Sequence, residues 1–265
     1  MKKEALYVII LVLIMVAFTS CEKEENDLDT SRYRIIKIAD NMAMENPLYT
    51  FEYNSQGKVV KISCTYGYYE VEYNQNGNPV KISSFDLEGD KTSPSRIITI
   101  QWKGNSFITG SYKRKNIYHL DKNKHLKSII ILQQENDNPV YNITRVETFT
   151  KTSNNKIKHE NYPIGFSENS LFDPGRYEET YTLGTLNSPF KGIHVAVLCL
   201  TNISFGMFMY EFQNEFNIVG LDGQGGFKAT IDYDYNENNY PVRADITYIS
   251  FGEVHKYAYF EYETY

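Results

Sequence analysis

The chain has 265 residues, with 27 Lys+Arg against 33 Asp+Glu and a formal net charge of −6. A mildly acidic chain with no basic run argues against nucleic acid as a partner. Its 23 tyrosines and 15 phenylalanines against one tryptophan favour pleated, half-buried surfaces.

Lys2 and Lys3 precede an apolar run from Leu6 to Phe18 and the small-residue junction "FTSC", which ends at Cys21. That order reads as a signal peptide over residues 1–20. The run falls short of the roughly 20 residues that a spanning helix needs. "FTSC" resembles the lipobox of bacterial lipoproteins. The resemblance implies that Cys21 is diacylated and becomes the new N-terminus, an anchor of the palmitate type. After it comes "EKEENDLD", where Glu22, Glu24, Glu25, Asp27 and Asp29 face only Lys23. Such a segment buries no apolar surface, so residues 21–30 read as a solvated tether and 31–265 as one β domain. The acidic stretch is similar to the export signal of surface lipoproteins of the Bacteroidota. That implies an outer-membrane, lipid-anchored address facing outward, with an inward-facing spacer as the alternative.

Two phrases then repeat, "FEYNSQGKVVKIS" from Phe51 and "VEYNQNGNPVKIS" from Val71. Asn54 and Asn74 suit the first position of a type I turn, and Gly57 and Gly77 the left-handed position that closes it with a bulge. Each phrase therefore predicts a β-hairpin, with Glu70 and Glu72 on a solvated face opposite Lys61 and Lys81. "LDKNKHLKSI" from Leu120 is a weaker copy. "YNENNYPVRA" from Tyr235 is a clearer one, with Asn239 in the glycine place. These hairpins resemble the YD repeats of the Rhs family, and behind a lipobox they resemble an uncharacterised family of Bacteroidota lipoproteins. The resemblance covers about a third of the chain and implies a hairpin array with no known activity.

"SRIITIQW", "LKSIIILQQ", "ITRVETFTK" and the final "YFEYETY" add short β-rich runs. The fold expected is all-β: a long antiparallel meander forming a strongly curved sheet or open barrel, with a β-sandwich as the alternative. Between Thr152 and Gly192 the alternation fails among prolines and glycines, including the turn "FDPGR". "HVAVLCL" near 190–200 then predicts a short helix covering the concave face. The irregular or helical insert thus spans about 152–210.

No chemistry announces itself. His119, His125, His159, His194 and His255 are scattered singly, which does not make a zinc site. The Asp232, Asp234 and Asn236 spacing fails as a calcium loop at Glu237 and Arg243. "SQGK" has an acyl-enzyme spacing, but the second phrase replaces its Ser55 and Lys58 with Gln75 and Asn78. No cofactor, metal or catalytic residue is assigned, and the chain reads as a non-enzyme. Cys64 and Cys199 lack a C-x-x-C partner and read as unpaired rather than bridged. The candidate ligand-contact residues are aromatic: Trp102, Tyr257 and Tyr259, as a platform for glycan. The function expected is non-catalytic binding of a glycan or other extracellular ligand. A carrier of an apolar guest or a scaffold for a protein partner is the alternative, and a hydrolase with unassigned carboxylates the third.

Overall fold

The computed structural model describes residues 33–88, 93–111, 113–134, 140–164, 176–201, 203–205, 208–209 and 215–265. The leader 1–20, Cys21, the acidic segment 21–30 and "FDPGR" up to Gly175 lie outside the described residues.

The repeated phrase builds its turn from one side chain. Asn54 Oδ1 accepts from the backbone N–H of Gln56 and Lys58, both at 3.0 Å, and Gly57 N–H closes onto the Asn54 carbonyl with φ 75°. Asn74 does the same with Asn76 and Asn78, and Asn236 with Asn238 and Tyr240. The weaker copy keeps the device intact: Asp121 Oδ1 accepts from Asn123 and His125 at 2.8 and 2.9 Å. Asn239 and Lys124 take the left-handed place, with φ 61° and 65°.

These turns join strands in pairs. The first eight are β1 Tyr33–Ala39, β2 Tyr49–Tyr53, β3 Val59–Cys64, β4 Gly67–Tyr73, β5 Pro79–Asp86, β6 Arg96–Lys103, β7 Ser106–Ser111 and β8 Arg114–Leu120. Then come β9 Leu126–Gln134, β10 Tyr141–Ser153, β11 Lys156–Pro163 and β12 Tyr177–Asn187. Helix α1, Val195–Thr201, and a small hairpin, β13 Ser204–Phe205 with β14 Phe208–Met209, interrupt the series. β15 Phe216–Gly223, β16 Lys228–Tyr235, β17 Pro241–Tyr248 and β18 Val254–Thr264 complete it. All but β13 and β14 form one antiparallel sheet, closed where β18 meets β1 from Tyr33↔Thr264 to Ala39↔Tyr259. The curved-sheet expectation thus resolves as a full barrel. Closure removes the unpaired edges an open sheet would present.

The bulges that close the turns free backbone carbonyls from the ladder, and the aromatic residues take them up. Tyr73 and Tyr262 donate their hydroxyls to the carbonyls of Val59 and Pro241, at 2.7 and 2.9 Å. Trp102 donates its indole N–H to Pro79 at 2.7 Å. Each acceptor is the residue two after the left-handed position, so the tyrosines have a backbone role as well as a packing one.

A closed sheet of this many strands is wide enough to leave a channel. Here the interior is apolar and filled. Ile35, Ile62, Ile82, Phe107, Ile218, Ile246 and Phe260 point inward onto Phe190, Ile193, Val197 and Leu198 of the segment that leads into and forms α1. Ser188 N–H donates to the Glu215 carbonyl at 2.9 Å, clipping the segment's two ends together beside β12 and β15. His194 Nδ1 accepts from Ala196 N–H at 3.1 Å and caps the helix. The expected helical plug is present, but the irregular stretch is shorter than 152–210. β10 runs to Ser153, and β11 and β12 occupy most of the chain from there to Asn187.

The outer face is charged. Lys37–Glu261, Lys61–Glu52, Lys81–Glu72 and Arg243–Asp234 lie directly opposite one another on neighbouring strands, with contacts of 2.7–3.5 Å. Apolar inside and charged outside is the reverse of a barrel that crosses a bilayer, whose outer band is apolar.

Candidate functional site

Antiparallel order places the turns after β2, β4, β8 and β16 at one end of the barrel, together with the start of β1 and the finish of β18. At the opposite end the apolar lining gives way to polar side chains on β10, β11 and β12. Register sets them in two inward-facing rows: Phe149, His159 and Glu179, then Glu147, Asn161 and Tyr177.

His159 is the centre of the cluster and only 1% exposed. Its Nε2 lies 3.3 Å from Glu147 Oε2, and its Nδ1 lies 3.1 Å from the Tyr177 hydroxyl and 3.6 Å from Glu179 Oε2. The ring stacks on Phe149 at 4.4 Å and meets the edge of Tyr177 at 5.2 Å. Burial alone pushes the imidazole down, but its two carboxylates outweigh it and raise the pKa to about 9. His159 is therefore a cation at neutral pH. Glu179 Oε2 also accepts from Tyr181 at 2.7 Å, so its lone pairs are well engaged. Asn161 is 8% exposed, and its carboxamide oxygen finds no hydrogen-bond partner among the described residues.

The cluster backs onto a cleft of about 470 Å³ between β12 and β15. Tyr177 and Phe227 supply aromatic walls, Glu179 and Leu221 line it between them, and the Gly223–Gly225 turn forms its rim. Gly225 has φ 77°, and a side chain there would meet open space, so the backbone path is what calls for glycine. An aromatic surface beside fixed acceptors and donors suits a ligand with hydroxyl groups and a flat apolar face.

The aromatic residues singled out from sequence are elsewhere. Trp102 points into the barrel, packed on Phe107 at 5.0 Å and His194 at 5.3 Å, and presents no open platform. Tyr257 is exposed on the outer face, with the Arg243 guanidinium 4.9 Å over its ring, and Tyr259 lies half-buried on the same face. The two tyrosines share a face with each other and not with Trp102. Neither Cys64 nor Cys199 is in a disulfide among the described residues. Glu147, His159, Asn161, Tyr177 and Glu179 were missed as a group. Their one signal is "KHEN", a strand polar on both faces inside an otherwise alternating sheet.

No family model matches the chain, and no curated protein does. Among solved structures, a porin-like protein from Bacteroides uniformis is similar, with 9% identity over 87% of this chain and 95% of that one, at a TM-score of 0.40. A porin-like protein from Bacteroides vulgatus is similar at 9% identity over 87% and 98%, with a TM-score of 0.38. Likeness at that level says nothing of what this chain binds.

Proposed function

We propose that this chain is a lipid-anchored, non-catalytic binding protein of the cell envelope, and that it takes a glycan in the cleft between β12 and β15. One observation carries the reading. The inward-facing polar cluster around His159 sits behind an aromatic-walled cleft at the end of the barrel away from Tyr33. On this reading the lipid is carried by Cys21, upstream of β1. The charged outer face suits a barrel in water, held by its lipid rather than by its strands.

A binding role fits the site better than catalysis. Glu147 and Glu179 both face the buried His159 cation, and among the described residues the cleft lining holds no serine, cysteine or threonine nucleophile. The carrier alternative fits less well, because Phe190, Ile193 and the helix Val195–Thr201 occupy the interior an apolar guest would need.

The test is a glycan array probed with the full chain and with Tyr177→Ala and Phe227→Ala. Binding that falls at least tenfold in both variants, with unchanged circular dichroism, is the expected result. Binding that both variants retain would move the ligand elsewhere.

A further inference from the structure

We propose a second site at the same end of the barrel, independent of the glycan reading: a cleft between β6, β7 and β8 that binds a small organic carboxylate. Its volume is about 320 Å³. Arg96 and Arg114 stand at inward-facing positions of β6 and β8, in line with Ile98 and Tyr118, which are 9% and 6% exposed. The plug supplies the inner wall, through Cys199 and Leu200 of α1.

Three features make this an anion site rather than a gap. First, no carboxylate belongs to the lining, and neither arginine is ion-paired among the described residues. Two guanidinium groups without an ion pair in one concavity concentrate anions locally. Second, Arg114 is already oriented. Its Nε donates to Asn116 Oδ1 at 3.2 Å, and Asn116 Nδ2 donates to the Tyr118 hydroxyl at 3.3 Å. That leaves the two terminal nitrogens of Arg114 to donate to an incoming carboxylate. Third, Ile98, Leu200 and the Tyr118 ring give the ligand's body an apolar contact that a bare inorganic ion cannot use.

Cys199 provides the readout. In the full chain carrying Cys64→Ser, purified in non-ionic detergent, the rate of Cys199 alkylation is measured against rising benzoate, with inorganic phosphate at the same ionic strength as the comparison. Saturable protection by benzoate is expected, with an apparent Kd raised at least tenfold by Arg96→Ala and by Arg114→Ala. Arg114→Lys, which keeps the charge and loses the fork, should fall between. His159→Gln should leave protection unchanged, which separates this site from the glycan cleft. Absence of protection, protection that survives both alanine variants, or equal protection by phosphate would each overturn the proposal.

Discussion

The four turns isolate what one residue contributes, because a single geometry is built with different side chains. Gly57 and Gly77 hold the left-handed position without penalty, whereas Lys124 holds it at φ 65° with a side chain that disfavours it. Lys124 does bond Asn105 Oδ1 at 2.7 Å, but at an exposed site that returns little. Lys124→Gly should therefore stabilise the protein by up to about 1 kcal/mol, and Asn74→Ala should cost about 1–2 kcal/mol by freeing two N–H groups. Urea midpoints of the two variants check both signs. His159 makes a pH-dependent contribution. Its pKa rises from an ordinary 6.5 to about 9 on folding, so its stabilisation is complete below pH 6.5 and is lost as pH climbs through 9. A shift of that size corresponds to about 3 kcal/mol. Melting temperatures from pH 6 to 10 should thus fall more steeply for the wild type than for His159→Gln; parallel curves would refute the assignment.

Among the elements, the hairpins were legible and the site was not, for one physical reason. Strands reveal themselves by alternation, and alternation needs one apolar face. β3, β5 and β17 have it, bury Ile62, Ile82 and Ile246, and were read from sequence together with their turns. β11 turns His159 and Asn161 inward and β12 turns Glu179 inward beside Tyr181, so polar residues interrupt the apolar face and, with the nearby prolines and glycines, the stretch reads as irregular. The signal failed where the interior departs from an apolar core, which is where a functional site is expected to break the pattern. Trp102 packs on Phe107 and His194 inside the barrel, and an aromatic residue in a strand does not by itself say which face it takes. The plug was legible as an unbroken apolar run, and Val195, Ala196, Val197 and Leu198 are all buried. Leu198→Ala should cost about 2–5 kcal/mol, since the closed wall cannot collapse onto the space left behind. A loss below 1 kcal/mol in chemical denaturation would mean that the plug does not support the barrel.

At the scale of the whole molecule, the sheet closes through β1 and β18 around an apolar filling, and opposed charges lie along its outside. A charged outer face suits water, and on the reading proposed above membrane attachment depends on one lipid at Cys21. Detergent phase partition of two forms, expressed in a bacterium that processes lipoproteins, tests this directly. One form is the full chain; the other begins at Glu22 behind a cleavable signal sequence that directs no lipidation. The full chain should enter the detergent phase and the unlipidated form the aqueous phase, both folded by circular dichroism. A folded unlipidated form that still partitions into detergent would mean that the barrel wall itself meets the membrane, and would contradict the account.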